Sequence, residues 1–146
     1  MTPLSLSFSS HSSEETRKVG AEIAKHLKAG DVLCLTGDLG AGKTTLTKGI
    51  AEELLAIHPD EITSPTFTYL HIYEGPTTLY HFDLYRLPSQ ETFLQSGFAE
   101  FLDAGGICCI EWPDKLPRGL PPCPIHISIR YLSSLEREII VERISL

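Results

Sequence analysis

Asp31-Val32-Leu33-Cys34-Leu35-Thr36 runs directly into Gly37-Asp38-Leu39-Gly40-Ala41-Gly42-Lys43-Thr44-Thr45. The first six residues are largely apolar, the pattern of a short buried strand. The next nine fit G-x-x-x-x-G-K-[ST], a phosphate-binding P-loop. Gly37, Gly40 and Gly42 let the backbone turn tightly and bring its N–H groups up to phosphate oxygens. Lys43 is a point charge on a flexible stem, suited to the β- and γ-phosphates, and Thr44 offers a hydroxyl to Mg²⁺. After the loop, Leu46, Ile50 and Leu54 recur at helical spacing, so a helix begins where the loop ends. Its unpaired N–H groups and positive dipole end also favour an anion. Residues 38–45 are therefore the expected nucleotide-binding segment.

Upstream, Leu4, Leu6 and Phe8 alternate with serines, which predicts a half-buried first strand. Ser12-Ser13-Glu14-Glu15 fits a capping box with Ser12 as N-cap and Glu15 at the third helical position. Val19, Ile23 and Leu27 form the apolar stripe of that helix, and Gly30 is the expected stop. Strand, helix, strand, P-loop and helix make an α/β opening.

Downstream the character changes. Ile62-Thr63-Ser64-Pro65-Thr66 reads as a hydroxyl-rich loop, and Pro65 biases Ser64 towards extended geometry. Phe67 to Tyr73 reads as a strand, Glu74-Gly75-Pro76-Thr77 as a turn, and Thr78 to Asp83 as the returning strand. Ser89 to Phe101 predicts one or two short helices broken near Gly97. Ile107-Cys108-Cys109-Ile110 is a short apolar run ending at Glu111, and Leu116 to Pro124 is Pro-rich and irregular. Ile125, Ile127 and Ile129 alternate with polar residues; after a turn at Leu132–Leu135 a last strand is expected from Glu136 to Ile144. These two are read as an antiparallel pair finishing the sheet. No repeat or second domain is visible, so residues 1–146 read as a single P-loop domain.

At 146 residues the chain has the length of one domain and can bury roughly 70% of its unfolded surface. No apolar run approaches the ~20 residues of a membrane span, and no basic-then-apolar leader opens the chain, so a cytoplasmic protein is expected. A net charge of −7 with twelve scattered basic residues argues against a broad nucleic-acid-binding face. A nucleic acid as ultimate substrate would have to be held by a partner. Cys34, Cys108, Cys109 and Cys123 form no C-x-x-C and read as reduced, packed thiols; the six His residues show no ligand spacing.

A P-loop needs an acidic group for its Mg²⁺ shell, usually at the end of a buried strand. Glu111 follows the run Ile107–Ile110, and Asp83 ends the strand Thr78–Phe82, two residues after His81 on the same face. One would bind Mg²⁺, directly or through water, while the other orients the attacking water; the sequence leaves the assignment open. Thr63, Ser64 and Thr66 suit a switch segment sensing the γ-phosphate, or are plain turn residues. Arg86 fits a phosphate contact or a carboxylate pair. Trp112, the one tryptophan, is either core or an aromatic anchor at a partner surface.

Taken together, Gly37–Thr45, Thr63-Ser64-Pro65-Thr66-Phe67, His81-Phe82-Asp83-Leu84-Tyr85-Arg86-Leu87 and Ile110-Glu111-Trp112-Pro113 resemble one family, TsaE (also called YjeE), the small bacterial P-loop ATPases of tRNA threonylcarbamoyladenosine synthesis. The matching stretches keep family order across roughly residues 30–115. The resemblance implies a mixed sheet with flanking helices, binding of ATP and Mg²⁺, and slow ATP hydrolysis. It also implies docking on the TsaD–TsaB heterodimer, which transfers threonylcarbamoyl to adenosine 37 of ANN-decoding tRNAs, so that tRNA is reached mainly through the complex. By the same resemblance Lys43 and Thr44 serve phosphate and Mg²⁺, Asp83 and Glu111 are needed for activity, and Trp112 matches a functionally important Trp. Phe101 departs from the Tyr that relatives often carry.

Two other classes compete. A P-loop small-molecule kinase would need an acceptor pocket and usually an Arg-bearing lid; the region after the P-loop helix reads instead as a hairpin, with no Arg cluster. A GTP switch commonly reads guanine through Asn-Lys-x-Asp, and this chain contains no Asn. In a weaker form of the switch idea, ATP occupancy rather than hydrolysis governs partner binding.

Overall fold

The alternation of Leu4, Leu6 and Phe8 with serines becomes strand β1 (Leu4–Ser10), and Ser12 caps helix α1 (Ser13–Ala24) by accepting from the Glu15 N–H at 3.0 Å. Glu15 reaches back to the His11 N–H at 2.8 Å rather than to that of Ser12. In this computed structural model, which describes residues 4–38, 40–58, 61–63, 68–117 and 125–143, α1 ends well before Gly30. Its last turns tighten, with the N–H groups of Lys25, His26 and Leu27 bonding the carbonyls three residues back, so the chain keeps winding until Leu27 packs on the core. Gly30 (φ 95°) instead turns the chain into β2 (Val32–Thr36). Helix α2 (Lys43–Leu55) follows the P-loop.

The expected hairpin is present, with β3 (Leu70–Tyr73) and β4 (Leu79–Asp83) antiparallel. β3 begins later than expected because Tyr69 has left-handed backbone (φ 64°), which a strand cannot continue; Phe67 lies outside the described residues. Helix α3 (Gln90–Gln95) and a 3₁₀ turn (Phe98–Asp103) flank Gly97. β5 (Ile107–Glu111) is buried along its whole length, and β6 (Ile125–Tyr131) and β7 (Arg137–Arg143) form the antiparallel pair. That pair does not close the sheet. β7 also pairs with β1, which is the true edge, in the order β1-β7-β6-β2-β5-β4-β3.

The sheet is mixed: β6, β2, β5 and β4 run parallel at its centre, between antiparallel flanks. Val19, Ile23, Leu46 and Ile50 from α1 and α2 cover one face, against Leu33, Leu35, Ile127 and Val141. Phe93 from α3 joins Phe82, Ile110 and Cys108 on the other. Cys108 and Cys109 are free and buried, as packed thiols are expected to be; Cys123 lies outside the described residues, as does most of the Pro-rich tail. No helix among the described residues is long and apolar enough to cross a membrane. The topology sets the parallel strands' carboxyl ends side by side: Leu35 pairs with Glu111, and Glu111 with Asp83. In open α/β sheets ligands bind outside those ends.

Candidate functional site

The P-loop carries no side-chain cap at the start of α2, and no acidic residue in its first turn, although Ser12 and Ser89 cap α1 and α3. Gly42 fills the capping position with φ 117°, a conformation open to glycine and strained for any other residue. The first N–H groups of α2 thus have no side-chain cap among the described residues, and the helix dipole there favours a negative partner.

Lys43, only 5% exposed, folds back on the loop, donating to the Gly37 carbonyl at 2.5 Å and the Asp38 carbonyl at 3.3 Å. Burial pushes its ammonium below the ordinary lysine range, against the opposing pull of Glu111, Asp83 and Asp38. The Trp112 ring covers it, with the ammonium 4.1 Å from the ring centroid. Trp112 has left-handed backbone (φ 60°) directly after β5, and its ring also packs on Tyr85 at 4.8 Å. Strained non-glycine backbone of this kind gathers at functional sites.

Thr44 Oγ1 donates to Glu111, 3.1 Å from Oε2 and 3.4 Å from Oε1. Glu111 is buried, and its Oε2 also meets His81 Nε2 at 2.5 Å. Asp83, half-buried at the neighbouring strand end, accepts from the Tyr85 N–H at 3.1 Å. Gly40, Gly42, Lys43, Thr44, Thr45, Asp83, Glu111 and Trp112 share one cleft of about 260 Å³. Across the loop a second hollow, about 250 Å³, is lined by Ser12, Thr16, Gly40, Gly42, Thr45 and Arg137 among others.

Of the remaining expected site residues, Asp38 contributes its carbonyl to Lys43, and Ala41 is buried with its N–H on that same carbonyl at 3.0 Å. Leu39, Ser64 and Thr66 lie outside the described residues. Thr63 is not brought to the cleft; it is tied to β3, its N–H donating to Tyr73 Oη at 3.3 Å and its carbonyl 3.1 Å from His71 Nδ1. Arg86 is exposed and does not line the cleft.

Three residues escaped the sequence reading of the site. Tyr131 donates its hydroxyl to the Gly40 carbonyl at 2.5 Å, and Arg137 Nε donates to the Ala41 carbonyl at 3.0 Å. The Arg137 guanidinium also stacks over the Tyr131 ring at 4.2 Å. The third is His81. Partners so distant in sequence leave no spacing signal.

The donor set suits a hard cation held mostly by its ligand. A hydroxyl and a carboxylate stand together at the mouth of the P-loop helix, and Mg²⁺ prefers such oxygens while keeping waters and phosphate oxygens for its other positions. No cluster of three or more His, Cys, Asp or Glu side chains among the described residues could hold a metal alone.

Residues 10–139 match the family described as threonylcarbamoyl adenosine biosynthesis protein TsaE. The chain is 43% identical over 132 residues to the Treponema pallidum tRNA threonylcarbamoyladenosine biosynthesis protein TsaE, covering 90% of this chain and 96% of that protein. With the Bacillus subtilis protein of the same name it shares 42% over 127 residues, 86% of this chain and 78% of that one. Its fold is similar to the crystal structure of Bacillus subtilis YdiB, with TM-score 0.73 and 35% identity, covering 99% of this chain and 89% of that one.

Proposed function

The chain belongs to the TsaE family of tRNA threonylcarbamoyladenosine biosynthesis proteins, and from that premise we propose that its cleft is a Mg²⁺-dependent ATPase site. The observation that carries this reading is the convergence of Lys43, Thr44, Asp83 and Glu111 on one cleft beside an uncapped helix N-terminus. The P-loop N–H groups cradle the phosphates, with the nucleoside running towards the hollow at α1. Lys43, released from the Gly37 and Asp38 carbonyls, turns to the β- and γ-phosphates. When bound, Mg²⁺ neutralises charge developing on the phosphates. Thr44 and Glu111, already hydrogen-bonded to each other, are the pair that would hold it. Asp83, on the adjacent strand and more open, orients the attacking water.

ATP turnover serves an assembly with TsaD and TsaB homologues in the cytoplasm. The net charge of −7 argues against a broad face for holding tRNA alone. A kinase role has no observation in its favour, since the segment after α2 leads into the β3–β4 hairpin rather than an Arg-bearing lid.

Reconstitution tests this. With TsaD and TsaB homologues, tRNA and threonylcarbamoyl adenylate, the protein plus ATP should sustain repeated adenosine 37 modification, and the Lys43→Ala variant should not. Equal yields with the unsubstituted protein and the variant would refute the role of the cleft.

A further inference from the structure

His81 sits in the middle of β4, fully buried, opposite Cys109 of β5 and His71 of β3. A histidine there is costly, because its Nδ1 is buried with no hydrogen-bonding partner among the described residues. An apolar side chain would avoid that cost. What the imidazole gains is a single short bond, Nε2 to Glu111 Oε2 at 2.5 Å. The carboxylate accepts, so the ring proton lies on Nε2.

We propose that His81 is a positioning residue for Glu111, setting the direction in which that carboxylate meets Thr44 and a bound divalent cation. The proposal rests on the reading of the cleft as a Mg²⁺–nucleotide site. Its logic is geometric. A glutamate carboxylate at a strand end turns freely about its last bond, and an unanchored one would present its oxygens in many directions. His81 comes from the neighbouring strand, behind the cleft, and clamps Oε2 from the buried side. Both carboxylate oxygens then stand within 3.4 Å of Thr44 Oγ1. Partners that orient a metal-binding side chain typically change metal affinity 10–100-fold when removed. His81 does not line the cleft itself, so its effect should pass through Glu111 and leave direct nucleotide contacts intact.

Two substitutions separate hydrogen bonding from packing. In His81→Gln the side-chain amide nitrogen stands as many bonds from Cβ as Nε2 does and can still donate to Glu111. In His81→Asn it stands one bond short. For each purified variant, binding of a non-hydrolysable ATP analogue is measured by calorimetry, once in EDTA and once with Mg²⁺, with thermal unfolding as the folding control. The gain in affinity on adding Mg²⁺ is the quantity compared, since metal and nucleotide couple reciprocally. His81→Asn should lose about tenfold or more of that gain, at unchanged affinity in EDTA, and His81→Gln should stay within about threefold of the unsubstituted protein. If both variants keep the full gain, or both lose it equally, the positioning role is overturned. If the unsubstituted protein itself shows no Mg²⁺-dependent gain, the metal–nucleotide reading beneath the proposal fails.

Discussion

The Trp112 ring lies over the Lys43 ammonium at 4.1 Å, so the lysine at the start of α2 and this chain's one tryptophan are in direct contact. Such contacts contribute about 0.5–2 kcal/mol, more when desolvated. On the proposed reading this contact is lost when Lys43 turns to a phosphate. Trp112 is therefore a built-in reporter: adding ATP with Mg²⁺ should change its emission saturably, and Lys43→Ala should abolish the saturable change. Constant emission while calorimetry shows ATP binding would contradict the coupling of the two residues.

Glu111→Gln keeps the shape of the side chain but removes its charge, and Thr44→Ala removes the partner hydroxyl. Each should lower Mg²⁺-dependent phosphate release by roughly 10²-fold or more, the scale seen when one preorganised polar group at a transition state is deleted. Nucleotide binding in EDTA should survive both. Activity within threefold of the parent for either variant would place the metal elsewhere.

The site depends on how closely α1 approaches α2. A Cβ at Gly49 would overlap the Arg17 backbone carbonyl, and one at Gly20 would overlap the Leu46 carbonyl oxygen. Neither helix can yield without moving the P-loop that starts α2. Gly49→Ala should therefore destabilise the fold by about 1–3 kcal/mol, the usual cost of overpacking. Denaturant titration reads this directly, and an unchanged midpoint would show that the helices part more easily than their contact suggests.

Burial pushes the Cys108 thiol up to about 12 from 9.0. The folded state thus favours the protonated thiol. Its contribution to stability is complete below pH 9 and is lost as pH climbs towards 12. Near neutral pH, iodoacetamide should leave Cys108 untouched in the native protein and alkylate it in urea. Rapid native labelling would mean that β5 is far more accessible than it is here.

What the sequence disclosed follows from how the information is stored. The P-loop is a run of consecutive residues, and β5 is an apolar run ending in a carboxylate, so both could be read locally. Ser12 announced α1 because its cap partner is three residues away. Tyr131 and Arg137 brace the P-loop from 91 and 96 residues away, and only the pairing of β6 with β2 and of β7 with β6 brings them there. The place of β1 outside β7 is likewise a matter of sheet order, which alternation does not encode. Thr63 is held to β3 by Tyr73 and His71, contacts that its place in a loop one helix past the P-loop does not encode. His81 shared a face with Asp83 as alternation required, yet its bond to Glu111 crosses strands and left no mark in spacing.

On the proposed reading, Lys43 and the acidic strand ends make this cleft bind and hydrolyse ATP. The most direct test is phosphate release from ATP by the purified protein with Mg²⁺, set against Lys43→Ala and against EDTA. Slow release by the parent that vanishes in both controls is the predicted result. Release that persists undiminished in Lys43→Ala would mean that this cleft is not where ATP is hydrolysed.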